Sequence, residues 1–252
     1  MPKFFIKTEN LKENEEIWIT GSDVNHIKNV LRKKIDDKIN ICNSDTQKNY
    51  ECVIKNIEEN KIVCKILDEV KSLAESNLNI TIFQGLPKSD KMELIIQKGT
   101  ELGVSEFVPV SFKRSIVKIS PKDEKKKIDR WNKISEVAAK QSKRDIIPKV
   151  RNVESIKNVC NEIKNYDIVL LAYELEENNY IKNELLKIKN TKENYKIAVI
   201  IGPEGGIEKE EVEVLENAGA KVISLGKRIL RTETVALQVS SIIMYELENG
   251  GN

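Results

Sequence analysis

Three short segments of this 252-residue chain pair glycine with charged side chains where a strand-like run gives way to a helix-like run. Residues 201–207 read IGPEGGI: the adjacent glycines let a ligand approach the backbone, and Pro203 stiffens the turn. Residues 225–234, LGKRILRTET, join a strand to the final helix, and residues 170–174, LLAYE, make a third and weaker segment. All three would lie beyond the carboxyl ends of strands, where open α/β sheets bind ligands. None has GxxxxGK[ST] or GxGxxG spacing, which disfavours a phosphate cradle or the usual dinucleotide site. Taken alone, GPEGG reads equally well as a tight turn. A metal centre is also disfavoured: His26 is the only histidine, and Cys42, Cys52, Cys64 and Cys160 contain no CxxC pair. The first three cysteines sit in apolar strand-like runs and are expected to be reduced core residues.

These loops need elements to hold them. Residues 3–7, 15–20, 38–42, 50–57 and 61–67 are β-branched, aromatic or alternating runs between Asn-, Asp- and Lys-rich turns, the pattern of a small β-barrel. One helix interrupts them, capped by Ser22 or Asp23, with Val24, Ile27, Val30 and Leu31 as its apolar stripe. Residues 68–78 read as a linker, placing one domain at 1–72 and a second at 73–252. From residue 79, strands at 79–83, 106–110, 167–173, 196–201 and 221–225 alternate with helices. One helix starts near Asp90, which has capping-box spacing to Glu93; others cover 123–142 and 232–248. The alternation predicts an α/β domain with a mostly parallel sheet. The last helix carries Val235, Ala236, Leu237, Val239, Ile242, Ile243, Met244 and Leu247 and keeps little polar face. Such a helix is buried on two sides, one against its own sheet and the other, we expect, against a second copy.

The net charge of +2 and the 40% hydrophobic content exclude a polyionic disordered chain. No apolar run approaches the ~18 residues of a membrane span, and residues 1–7 lack the apolar stretch of a secretory signal. A soluble, cytoplasmic protein with no membrane partner is expected. The charge is uneven: residues 85–151 hold 17 basic and 9 acidic side chains, residues 152–252 hold 12 and 17. A basic block suits a polyanionic partner, though it also suits a solvated lysine-rich helix face.

Together these segments resemble the bacterial 16S ribosomal RNA uracil-N3 methyltransferases of the SPOUT superfamily. The likeness spans HIKNVLR at 26–32, KSDKMELIIQKGTELG at 88–103, Arg114-Ser115, AAKQSKR at 138–144, IGPEGG at 201–206 and LGKRILRTET at 225–234. Three positions differ from the family's habit: Lys3 stands in place of arginine, Asp36 in place of glycine, and residues 45–50 lack the usual glycines. The resemblance implies a PUA-like β-barrel followed by an α/β domain with a trefoil knot, a homodimer, and S-adenosylmethionine as cofactor. It implies a cofactor pocket made by Leu171, Ala172, Ile201, Gly202, Pro203, Glu204, Gly205, Gly206, Leu225, Gly226, Ile229, Leu230, Glu233 and Thr234. The partner it implies is 16S ribosomal RNA in the small subunit, with Arg32, Lys88, Lys91, Lys98, Arg130 and Lys143 expected on phosphates.

Methylation at N3 requires loss of the imide proton and a base splayed out of pairing. His26 lies in the N-terminal helix, where packing against the barrel is favoured over a role as general base. A basic pocket could instead stabilise the uracil anion while solvent takes the proton. Arg231, Arg114, Arg144 and Gln141 are the candidates, and each arginine has the alternative of simply pairing with a carboxylate. Two other readings stay open: a methyltransferase of the same fold acting on another base or on transfer RNA, and a non-catalytic RNA-binding assembly factor.

Overall fold

The computed structural model describes residues 3–12, 15–71 and 74–248. The expected boundary between residues 72 and 73 lies outside the described residues. Two units form, and their division is not a single cut: Met1–Glu75 with Ala139–Ile147, and Ser76–Ala138 with Pro148–Asn252.

In the first unit, β1 (Lys3–Ile6), β2 (Leu11–Lys12), β3 (Glu16–Thr20), β4 (Lys38–Asn43), β5 (Asn49–Ile57) and β6 (Lys61–Val70) form one sheet ordered β1-β4-β5-β6-β3-β2. Only the β1–β4 pair is parallel. Alternate residues Ile17, Ile19, Ile39, Ile41, Cys52, Ile54, Ile62 and Cys64 build its core, the period-two burial expected of strands. The cysteines are free, and burial pushes the thiols of Cys42 to about 11 and of Cys52 and Cys64 to about 12. They are core residues, as their apolar neighbours suggested.

Helix α1 (Ser22–Asn25) starts one residue earlier than a Ser22 cap requires; Gly21 holds the cap position and no side chain caps it. It widens into a π turn over His26–Val30. The wider turn rotates the end of the expected stripe: Val24 and Ile27 are buried, but Val30 is 64% exposed. His26 packs edge-on against Phe4, with ring centroids 5.9 Å apart. Asp36 has φ +69° and Gln47 φ +57°, both left-handed, so the backbone keeps a glycine-like conformation where the sequence has lost glycine.

Residues 139–147 carry the unit's buried charge. The Glu75 carboxylate accepts from Arg144 Nη2 (2.7 Å) and Nε (3.2 Å) and from the backbone N–H of Asp145 (2.7 Å) and Ile146 (3.1 Å). Lys3 pairs with Asp145, and Lys140 Nζ lies 2.7 Å from Asp23.

The second unit alternates β7 (Leu78–Gly85), α2 (Lys91–Glu101), β8 (Glu106–Ser111), α3 (Pro121–Gln141), β9 (Lys149–Val150), β10 (Glu154–Ser155) and α4 (Ile156–Glu162). It continues with β11 (Ile168–Ala172), α5 (Ile181–Ile188), β12 (Tyr195–Ile201), α6 (Lys209–Asn217), β13 (Lys221–Ile223) and α7 (Thr232–Ile243). The last residues of α3 belong to the first unit. The sheet is parallel throughout, ordered β10-β8-β7-β12-β11-β13, with β9 also on β8. It is buried on both faces, which is why β12 is apolar without interruption from Ile197 to Ile201. Ile197, Val199 and Ile201 enter one core; Ala198 and Ile200 enter the other.

Two expectations change here. Asp90 makes no side-chain cap, because the Glu93 N–H donates to the Asp90 carbonyl (2.9 Å), and the Glu93 carboxylate turns to Arg130 (2.8 Å) instead of back to the helix start. In α7, Ala236, Val239 and Ile243 are buried in the unit's own core, and Ile242, Met244 and Leu247 pack partly against it.

Candidate active site

Strand register explains why three distant loops meet. Ala172 at the end of β11 sits between Ile201 of β12 and Ile223 of β13, so the three strands end level and their loops emerge side by side. They enclose one cavity of about 520 Å³. Ala172, Tyr173 and Glu174 come from β11 and its loop; Ile201, Gly202, Pro203, Glu204 and Gly206 from β12 and its loop. Residues 223–231 supply a third wall, with Thr232 and Val235 of α7 and Lys91 of α2.

Two polar ties fix these walls. The fully buried Gln84 donates through Nε2 to Thr232 Oγ1 (2.8 Å), which donates to the Gly202 carbonyl (2.7 Å). The end of β7, the start of α7 and the β12 loop are thereby joined. In the second tie, Lys91 Nζ lies 3.0 Å from Glu204 Oε1 and 3.3 Å from Glu233 Oε2, and the Lys88 N–H donates to Glu204 at 3.0 Å. Burial alone would raise the Glu204 carboxyl. Hydrogen bonds from Lys91, its own backbone and Lys88 outweigh burial and hold it below the usual carboxylate range. The bond to Glu204 in turn raises the Lys91 ammonium.

Glycine is required at two places. A Cβ on Gly85 would stand 2.5 Å from Pro203 N, so the end of β7 passes directly against the β12 loop. Gly206 has φ +75°, and a Cβ there would meet Glu174 Oε1 at 2.6 Å.

Ten of the fourteen expected pocket residues line the cavity: Ala172, Ile201, Gly202, Pro203, Glu204, Gly206, Leu225, Gly226, Ile229 and Leu230. Leu171 does not, because its side chain is fully buried in the core on one face of the sheet. Gly205 faces the Arg114 backbone, Glu233 holds Lys91, and Thr234 is not part of the wall. Sequence reasoning missed Tyr173, Glu174, Ile223, Ser224, Lys227, Arg228, Thr232 and Val235. Each is next to, or two positions from, an assigned residue, and simple extension of the three loops would have found them.

The four catalytic candidates separate. Arg231 lines the cavity, is exposed, and has no ion-pair partner among the described residues. Arg114 braces the β12 loop from outside the wall, donating to Glu208 Oε1 (2.8 Å) and the Gly205 carbonyl (3.3 Å); the bond to Glu208 raises its guanidinium. Arg144 and Gln141 belong to the first unit, Arg144 buried against Glu75 and Gln141 exposed. Of the expected RNA contacts, Lys91 is instead built into the pocket wall. Lys98 pairs with Glu101 and Arg130 with Glu93. Arg32, Lys88 and Lys143 have exposed side chains. No group of three or more His, Cys, Asp or Glu side chains among the described residues could hold a metal ion, and no described helix is long and apolar enough to cross a membrane.

Residues 74–244 match the RNA methyltransferase domain family, and residues 19–67 match the RNA methyltransferase PUA domain. The chain is 36% identical to Ribosomal RNA small subunit methyltransferase E of Bacillus subtilis, over 98% of each chain. It is 31% identical to the protein of that name from Mesomycoplasma hyopneumoniae, over 94% of this chain and 96% of the relative. A crystal structure of Ribosomal RNA small subunit methyltransferase E from Neisseria gonorrhoeae bound to S-adenosyl methionine superposes with a TM-score of 0.86. It is 28% identical, over 98% of both chains.

Proposed function

The chain belongs to the RNA methyltransferase family, and from that premise we propose that it methylates N3 of a uridine in 16S ribosomal RNA of the small subunit, using S-adenosylmethionine. The observation that carries this reading is the convergence of three strand-end loops, tied by Gln84–Thr232–Gly202 and Lys91–Glu204, on one cavity. The wall suits the cofactor. Main chain at 202–206 and 225–230 offers uncharged hydrogen bonds for adenine and ribose. Ile201, Leu225, Leu230 and Val235 give an apolar surface, and Glu174 gives a carboxylate for a sulfonium. S-adenosylmethionine supplies the methyl carbon when bound.

The protein's own part is to orient the uracil and stabilise its anion. Arg231 stands at the cavity beside the start of α7, with no ion-pair partner among the described residues. A planar fork there bonds a uracil carbonyl oxygen as negative charge grows, and the N3 proton leaves to solvent. Arg114 orients the loop instead of touching the base. Arg32, Lys88 and Lys143 offer free cations to phosphate, and Lys98 and Arg130 hold exposed ion pairs weak enough to exchange. A trefoil knot, a cytoplasmic location and a homodimer through α7 belong to the same reading. Val235, Leu237 and Ile242 keep part of their apolar surface uncovered.

Purified protein, S-adenosylmethionine and small subunits from cells lacking the gene should yield one new methyl on one uridine, mapped by mass. Methyl transfer to another base, or none, overturns the reading.

A further inference from the structure

Residues 225–231 form the wall that carries the most exposed apolar side chain. Ile229 is 88% exposed, more than any other large apolar residue described. It is set among cations that line the same cavity, Lys227, Arg228 and Arg231, none with an ion-pair partner among the described residues. That contrasts with Lys91, Lys98, Arg114, Arg130 and Arg151 of the same unit, each of which meets a carboxylate. Cations left unpaired around a cavity favour a polyanion. An isoleucine between them adds nothing to phosphate binding, but it is the type of side chain that proteins insert between stacked bases.

The reaction needs such a device. N3 lies on the pairing edge, so the uridine must be out of its stack when N3 enters the cavity, and a side chain that occupies the gap favours that extruded state. We infer that Ile229 is the wedge that fills this gap, while Lys227 and Arg228 hold the phosphates on either side. The inference rests on the RNA methyltransferase reading above and adds the element that extracts the base. Ile229 is a positioning residue: it acts on the neighbouring bases, and Arg231 acts on the uracil.

The test compares wild type, Ile229→Ala, Ile229→Leu and Ile229→Asn on unmethylated small subunits, in single turnover at saturating S-adenosylmethionine. Because the side chain is exposed, these changes leave the core intact. Ile229→Ala and Ile229→Asn should slow methylation by roughly tenfold to a hundredfold, the cost of losing help with one base step, and Ile229→Leu should restore most of the rate. Cofactor affinity, measured by calorimetry, should stay within about twofold, because Ile229 borders the cavity with a side chain that is mostly in solvent and covers little of it. Lys227→Gln with Arg228→Gln should instead raise KM, leave the saturated rate, and lower the salt slope of RNA binding by about two. An unchanged rate in Ile229→Ala overturns the wedge. A loss of cofactor affinity makes Ile229 part of the cofactor wall, and an altered sedimentation coefficient makes it a subunit contact; either overturns the wedge too. An unchanged KM in the double variant removes the phosphate grip. If wild type itself transfers no methyl, it is the underlying function that fails.

Discussion

Arg231 differs from the other arginines considered for catalysis in lining the cavity with no ion-pair partner among the described residues. Arg231→Lys keeps the charge and removes the planar fork. The single-turnover rate should fall by about 10²-fold, the loss of one transition-state donor, with little change in cofactor affinity. A normal rate at saturating cofactor removes Arg231 from catalysis. Thr232 works differently, because its hydroxyl is both acceptor for Gln84 and donor to Gly202. Thr232→Val leaves two buried polar groups short of a partner and should cost about 1–3 kcal/mol, read as weaker cofactor binding of tenfold or more. The Lys91–Glu204 tie predicts a pH window. Glu204 is lowered from 4.5, so its contribution is full above that value and is lost as pH falls through the lower folded value. Lys91 is raised from 10.5, so its contribution is full below that value and is lost as pH rises through the higher folded one. Cofactor affinity should therefore be flat from about pH 5 to 10, while the methylation rate climbs with pH as the imide proton becomes easier to lose. A cofactor affinity that collapses near neutrality contradicts this pairing.

At the scale of elements, the strands and their loops were legible because the signal is local. Residues 197–201 of β12 are apolar without a break since both sheet faces are covered, and glycine ends the run where the cavity begins. What failed to show in the sequence depends on partners far along the chain. Gln84 and Thr232 are 148 positions apart, and no periodicity announces them. The Asp90–Glu93 spacing suited a capping box, yet Arg130, 37 positions from Glu93, won the carboxylate. Residues 139–141 simply continue the helical pattern of α3, and nothing in that pattern marks the change of unit there. Arg151 is a further tie of this kind. It joins the chain after β9 to Glu162 of α4 (2.5 Å), and to Glu106 of β8 and Glu154 of β10 (3.4 Å each). Arg151→Ala would leave three carboxylates without their cation and should destabilise the protein by about 2–4 kcal/mol. A urea midpoint equal to wild type shows that the cluster is merely solvated.

At the scale of the whole molecule, the proposed homodimer is tested on the part-exposed side of α7, since Ile243 is fully buried in the core of its own unit. Leu237→Asp places a charge on the part-exposed side of α7 instead. It should convert a dimer to monomers in sedimentation while leaving the helical circular dichroism intact; an unchanged dimer moves the interface elsewhere. The return of residues 139–147 to the first unit also sets an order of events during synthesis. When Glu75 leaves the ribosome, Lys3 and Glu75 still lack Asp145 and Arg144, which emerge about 70 residues later. At about 5–20 residues per second that interval is roughly 4–14 s. Through it the nascent N-terminal sheet holds charges whose counterions have not yet emerged, so it cannot lock before all of α3 and the residues just after it have left the ribosome. An arrest that keeps residues 139–147 inside the ribosome should therefore prolong the protease sensitivity of the N-terminal strands, whereas an arrest after they have emerged should not.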